Sequence, residues 1–289
     1  MIWDSEAKGW PNAEHSRFIS VRGLKWHVQE AGKGPSLLFL HGAGASTHTW
    51  RDLLPDLARD HHVIAIDLPG QGFSDLGDKD RCGLEAVSSE MSRLMAEQDI
   101  RPTAIVGHSA GAALALRLAL DRKVRPQSVV SINGALSNFP GLAAIMFPAL
   151  AKMLSLNPLT AITFSRIAGT PHQTRRLIEA TGSRIDAAGI AQYQRLLSSP
   201  RHVDATLAMM ARWELDPLIE RLGAVSVPVL FMAGARDQAV PVSSSRRAAR
   251  LVPQSETELF PDAGHLLHEE RPGPIANRIR HFVNLHAAA

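Results

Sequence analysis

The sequence has a single cysteine, Cys82. No intrachain disulfide can form, and the cysteine usage gives no pointer to an oxidising compartment. There is no cysteine cluster and no H-E-x-x-H, the arrangements that gather metal ligands. No G-x-G-x-x-G opens a helix after a strand, and Gly42-Ala43-Gly44 lacks the rest of that fingerprint. Neither a metal nor an organic cofactor is therefore expected. Basic residues are scattered and the net charge is only +3, which gives no case for nucleic acid. The first residues, Met1-Ile2-Trp3-Asp4-Ser5-Glu6, carry early acids and no apolar core. No signal peptide is expected, and the cytoplasm is the default location. The apolar stretch from Phe139 to Leu159 is punctuated by Pro140, Pro148 and Pro158 and contains Lys152. That argues against a transmembrane span and leaves peripheral attachment to a membrane open.

What remains is an ordinary globular composition, 45% apolar and 20% charged over 289 residues. That length suits one large α/β domain with an insertion, or two small domains. Arg17–Val21 and Leu24–Val28, joined at Arg22-Gly23, read as a hairpin. Short apolar runs follow at 37–40, 63–66, 104–106, 129–132 and 229–232. Continuous rather than alternating apolarity predicts strands buried on both faces, as in a parallel sheet. Helical patterns at 50–59, 84–98 and 110–122 lie between several of them, which predicts βαβ units. From about 137 to 212 no buried strand is legible. This segment reads as a helical insertion into a core formed by 1–136 and 213–289, either helices packed on the main domain or a lid over a pocket, and both can hold at once.

Gly107-His108-Ser109-Ala110-Gly111 is a G-x-S-x-G motif between an apolar β-branched run and a strong helix former. Strand, tight turn and helix meet at Ser109, the context of a nucleophile elbow. The alternative is a small-residue turn that packs a helix on a sheet. At the head of a helix, the dipole and free N–H groups favour developing negative charge.

An activated serine needs a base, and the base an orienting acid. Asp237 stands in Gly234-Ala235-Arg236-Asp237 after an apolar run, at the strand end where open α/β sheets place their sites. It is the candidate acid, with an Asx turn before Val240-Pro241 as the structural alternative. The loop after 129–132 is the other acid position, but it carries Asn133-Gly134, and an amide supplies no negative charge. Among thirteen histidines, His265 follows a short strand at 257–260 on a Gly-bearing loop and is the candidate base. His268 is its competitor, expected in the next helix and facing away or capping. His61 and His62 are expected at the surface. His41-Gly42-Ala43-Gly44 follows the run at 37–40 and offers an oxyanion hole, with the N–H groups of Ala43 and Ala110 as donors. His41 and His108 flank the site and read as packed neighbours rather than proton carriers. They are also candidates to line the substrate pocket, together with Met146 and Phe147 from the insertion. Asp67-Leu68-Pro69-Gly70 through Asp75 reads as a structural turn at the site entrance.

Taken together, His41-Gly42, Asp67-Leu68-Pro69-Gly70, Gly107-His108-Ser109, Asp237 and His265 resemble the α/β-hydrolase superfamily, over nearly the whole chain. The resemblance implies a mostly parallel sheet flanked by helices and is specific for the fold, not for the substrate; with the apolar helical insertion the chain is read as a hydrolase of an acyl, ester-type bond in a hydrophobic substrate. Haloalkane dehalogenases and epoxide hydrolases in that superfamily place Asp where this chain has Ser109. Four segments, Trp10–Phe18, Thr47–Leu53, Ser131–Leu136 and Ala208–Trp213, are similar to the BchO family of magnesium-chelatase accessory proteins of bacteriochlorophyll biosynthesis. This implies a role near magnesium insertion, a tetrapyrrole as a candidate ligand and magnesium-chelatase subunits as candidate partners. There is no Walker A motif, so the chain is not the ATP-driven chelatase subunit. A general carboxylesterase or lactonase, a perhydrolase using the same triad, and a non-catalytic binding module remain the rival readings.

Overall fold

Strands with no polar face must be covered on both sides. The computed structural model, which describes residues 1–122, 124–137 and 158–287, meets that demand. Eight strands among the described residues form one sheet: β1 (Ser16–Val21), β2 (Leu24–Ala31), β3 (Ser36–Leu40), β4 (His62–Ile66), β5 (Ala104–His108), β6 (Ser128–Ile132), β7 (Val229–Gly234) and β8 (Ser255–Phe260). Their order is β1-β2-β4-β3-β5-β6-β7-β8. β1 pairs antiparallel with β2, and β2 with β4; every other pairing is parallel. Every residue of β5, β6 and β7 is buried.

The helices used below are α1 (Leu53–Leu57), α2 (Leu84–Glu97), α3 (Ala110–Asp121), α4 (Pro158–Ala168), α5 (Pro171–Ala180), α6 (Ala187–Leu197), α7 (Pro200–Arg212), α8 (Val242–Leu251), α9 (Leu267–Glu270) and α10 (Pro272–His286). The period-2 alternation of strands divides the core in two. Leu37, Phe39, Val63, Ala65 and Val106 pack with Leu57 of α1 and Ile279 and Phe282 of α10. Leu38, Leu40, Ile64, Ile66 and Ile105 face the other way, onto Met91 and Leu94 of α2 and Leu114 and Leu118 of α3. Each fully buried side chain of this size contributes roughly 1.5–3 kcal/mol.

The sheet grows from β3 to β4 in one direction and from β5 to β8 in the other. The reversal opens a crevice at the carboxyl ends of β3 and β5, the place where open α/β sheets bind ligands. Residues 41–44 and Ser109 follow those two strands directly.

Two expected details differ. The helix anticipated at 50–59 forms only over α1, after a 3₁₀ turn at Thr47–Trp50, because Pro55 has no N–H to extend a longer helix. His61 is buried, with Nδ1 3.2 Å from the Asp60 carboxylate, and His62 begins β4 with Nε2 2.6 Å from Glu30. Between β6 and β7 the described residues give α4 to α7. Thr170, Asp186 and Ser199 each accept an N–H of the following helix through the side chain, and Pro occupies the first position of α5 and α7. No described helix is long and apolar enough to cross a membrane.

The fit of α3 on the sheet depends on glycine. A Cβ on Gly111 would lie 2.1 Å from Leu40 O and 2.6 Å from His41 O, both main-chain atoms. Gly111→Ala is expected to destabilise the fold by about 3 kcal/mol, the upper range of overpacking. Gly223, in the 3₁₀ turn Leu222–Ala224, would bring such a Cβ only to ordinary contact, 3.7 Å from Leu251 O, and Gly223→Ala is expected to add about 0.5 kcal/mol by reducing unfolded-state entropy. Urea denaturation of both variants checks the contrast.

Candidate active site

Ser109 is forced into a rare main-chain conformation. Its φ is 52° and ψ −115°, a region that costs a residue with a side chain about 1–3 kcal/mol. Neighbours hold it there. Its N–H donates to Ile132 O at 3.0 Å, and its carbonyl accepts from Ala112 and Ala135 N–H, both at 3.1 Å. The turn sets Ser109 immediately ahead of α3, whose first N–H, that of Ala110, has no partner within the helix.

Peptide planarity fixes the second half of the crevice. Gly42 O accepts from the His41 ring at 2.8 Å and from Ala45 N–H at 3.1 Å. The Ala43 N–H belongs to the same rigid trans peptide and therefore points the opposite way. Neither Ala43 N–H nor Ala110 N–H has an acceptor among the described residues. The loop backbone lies against the serine, for a Cβ on Gly42 would come 3.0 Å from Ser109 Cβ. His41 Nε2 accepts from Leu68 N–H at 2.9 Å, so its proton sits on Nδ1. Burial lowers the pKa of this ring. Both nitrogens of His41 are thus committed to main-chain groups.

Asp237 and His265 come together at 2.8 Å, carboxylate Oδ2 to ring Nδ1. The other oxygen, Oδ1, accepts from Ala239 and Val240 N–H, each at 2.8 Å. The Asx turn and the histidine contact therefore coexist, one on each oxygen. No hydrogen bond joins Ser109 Oγ to His265 among the described residues. Catalytic hydrogen bonds often tighten only when substrate is bound. Asn133, the residue at the other acid position, braces both loops instead. Its Nδ2 donates to Gly264 O at 2.9 Å and His265 O at 2.7 Å, and its Oδ1 accepts from Gly234 N–H at 2.8 Å. Glu270 accepts from Gly264 N–H at 2.9 Å, and Ser183, between β6 and β7, accepts from Leu266 N–H at 2.8 Å.

His108 donates from Nε2 to His265 O at 2.9 Å. Its Nδ1 is buried without a partner among the described residues, and burial, followed by the nearby His268 and His265, pushes its pKa well down. His268 does not face away. It is buried 4.4 Å from the His108 ring, centroid to centroid, with Nε2 2.6 Å from Thr49 Oγ1. Burial lowers its pKa to about 3. Met146 and Phe147 lie outside the described residues. Among the described residues no group of His, Cys, Asp or Glu is placed to hold a metal ion.

The turn at Asp67 is a structural hub. Its carboxylate meets His27 Nδ1 at 2.7 Å, Thr47 N–H at 2.6 Å and Phe73 N–H at 2.9 Å. Burial alone would raise its pKa, but the His27 contact, with His41 and the Phe73 N–H, overrides that and holds it at about 2. The sequence reading missed a second hub, Glu269. Oε1 accepts from Thr49 Oγ1 at 2.6 Å and Tyr193 OH at 2.7 Å, and Oε2 from Arg51 at 2.8 Å. Arg51 also reaches Asp186 at 2.8 Å. This ties α6 to the loop after β3 and to α9. Glu269 registered in the sequence only as half of an acidic pair, and nothing local distinguishes a buried Glu from a solvated one.

Residues 35–272 match the family model described as the alpha/beta hydrolase fold. The chain is 42% identical over 262 residues to the magnesium-chelatase 30 kDa subunit of Rhodobacter capsulatus, covering 90% of this chain and 91% of that one. It is 29% identical over 246 residues to a pimeloyl-[acyl-carrier protein] methyl ester esterase of Vibrio atlanticus, covering 84% of this chain and 91% of that one. The crystal structure of a serine hydrolase involved in carbazole degradation superposes with a TM-score of 0.76 at 24% identity, covering 93% of this chain and 98% of that one.

Burial drives Glu269 up to about 7 from an ordinary value of 4.5, and Arg51 and the two hydroxyls only partly offset it. Between those values the folded state holds a proton that the unfolded chain has lost. Stability from this group is full below pH 4.5 and is lost as pH rises through 7. A shift of this size corresponds to about 3 kcal/mol. Urea denaturation from pH 4 to pH 8 should show Glu269→Gln losing less stability than the wild type over the rise. Parallel profiles would contradict this linkage.

Proposed function

We propose that this chain, which belongs to the α/β-hydrolase fold family, is a serine hydrolase acting on an ester-type bond of a hydrophobic substrate, in an accessory role to bacteriochlorophyll synthesis near magnesium insertion. The observation that carries the chemistry is the His265–Asp237 pair. Because Nδ1–H donates to Asp237 Oδ2, Nε2 is left as the basic nitrogen.

Ser109 Oγ attacks the acyl carbon while His265 Nε2 takes its proton. Asp237 orients the ring and stabilises the imidazolium. Ala43 and Ala110 N–H receive the oxyanion, aimed by planar peptides before the reaction begins. Collapse breaks the acyl–oxygen bond, and His265 returns the proton to the departing alkoxide. A water, deprotonated by the same nitrogen, then frees the acid from Ser109. His41 and His108 stay neutral throughout and act as braces.

The pathway assignment rests on the likeness to the chelatase subunit of Rhodobacter capsulatus. Magnesium-chelatase subunits and a tetrapyrrole are accordingly the proposed partners, and segment 137–212 the proposed cap over the substrate. The likeness to the methyl ester esterase favours a second reading, a general carboxylesterase outside pigment synthesis.

A fluorophosphonate should label the wild-type protein at Ser109, and folded Ser109→Ala should not be labelled. With a p-nitrophenyl ester, His265→Ala is expected to lower kcat by about 10⁴-fold and Asp237→Asn by about 10³- to 10⁴-fold. In a photosynthetic bacterium lacking the protein, bacteriochlorophyll should fall and intermediates near magnesium insertion accumulate. Ser109→Ala should fail to restore pigment. Restoration by Ser109→Ala would replace catalysis with binding, and normal pigment in the deletion strain would leave the general esterase.

A further inference from the structure

We propose that His202, on α7 of the inserted segment, is a positioning residue for the oxyanion loop, so that the insertion completes the anion-stabilising half of the site. This rests on the serine hydrolase reading above.

His202 is 1% exposed. Its Nε2 lies 3.1 Å from Gly44 O, and its Nδ1 3.1 Å from Gly72 N. These partners allow one protonation state. A carbonyl only accepts, so Nε2 carries the proton. A main-chain N–H only donates, so Nδ1 is bare. An imidazolium would set a second N–H against that of Gly72. Burial agrees, lowering the pKa of the ring to about 4.

A second contact reaches the other side of Gly44, through a loop residue that the same helix backs. Gly44 N–H donates to Gln71 Oε1 at 2.6 Å, and Gln71 Nε2 contacts Met209 Sδ at 2.9 Å. His202 and Met209 are seven residues apart, two turns on one face of α7. Thr206, between them, has its Cγ2 3.5 Å from where a Gly44 Cβ would sit. One helical face therefore covers Gly44. The peptide before Ala43 is pinned through Gly42 O, and the peptide after it through Gly44 N–H. His202 fixes the next carbonyl along. The direction of the unpaired Ala43 N–H is thus set partly from outside the sheet domain.

Side-chain amides separate the two contacts. In His202→Gln the terminal N–H can still reach Gly44 O. In His202→Asn the shorter amide can accept from Gly72 N–H but cannot donate to Gly44. With the full chain and p-nitrophenyl butyrate, sites counted by fluorophosphonate titration, His202→Asn should lower kcat per site about 10- to 100-fold, with KM changed less than about threefold. That is below the 10²- to 10³-fold loss of a whole oxyanion donor. His202→Gln should recover much of it. A role in folding alone would lower the number of titrated sites in both variants and leave kcat per site unchanged. That result overturns the proposal, as does equal kcat loss in both variants. In the wild type, ¹⁵N spectra should give His202 as the neutral Nε2–H tautomer from pH 5 to 8; an Nδ1–H tautomer or an imidazolium overturns the proposal even if neither variant folds. Wild-type protein that neither takes the label nor turns over the ester overturns the hydrolase reading, and this proposal with it.

Discussion

The main-chain conformation at Ser109 is the constraint on which the candidate site depends. A residue with a side chain is held at φ 52° because the chain must leave β5 and enter α3 within one residue. The helix can sit that close only where two glycines remove side chains. A Cβ on Gly107 would fall 2.3 Å from Gly111 O, and one on Gly111 would strike the end of β3. Close packing of helix on sheet thus brings the head of α3 against residues 41–44. The strain stored at the turn is offset by the two core layers, which bury the helix and strand on either side of it.

Around that turn the structure fixes main-chain directions with side-chain hydrogen bonds. His41 pins Gly42 O, Gln71 and His202 pin Gly44, and Asn133 clasps the loops that carry Asp237 and His265. A preorganised oxyanion site must have its dipoles aimed before charge develops. Neutral, buried imidazoles suit that task, since each can donate at one nitrogen and accept at the other without adding a charge. The segment between β6 and β7 takes part through Ser183 and Tyr193, which meet Leu266 and Glu269 in the stretch after β8, and through His202, which meets Gly44 in the loop after β3. It is joined to the site's framework as well as being the proposed cover of its substrate.

The parts legible in the sequence were those with a local signature. Buried strands announce themselves by continuous apolar runs, so the sheet could be read almost strand by strand. Ser109, Asp237 and His265 could be proposed because each stands on a loop directly after such a run. His268, Glu269 and His202 could not be placed in the same way. Their environments come from partners far away in the chain, Thr49, Arg51 and Gly44, and from burial that no short window encodes. The helix expected at 50–59 is shorter because Pro55 stands within it, and His61 is buried although a residue just ahead of a strand is expected at the surface. Asn133 was weighed only as an acid, whereas an amide can donate and accept at once, which is what a clasp between two loops requires.

Ser109 is proposed to attack an acyl centre whose oxygen is received by the Ala43 and Ala110 N–H groups. The decisive measurement is a crystal structure of the protein after reaction with an alkyl phosphonate. That structure should show a covalent bond from Ser109 Oγ to phosphorus, one phosphonyl oxygen about 2.7–3.1 Å from both N–H groups, and His265 Nε2 beside the serine oxygen. An adduct on another residue, or a phosphonyl oxygen turned away from both N–H groups, would contradict this assignment.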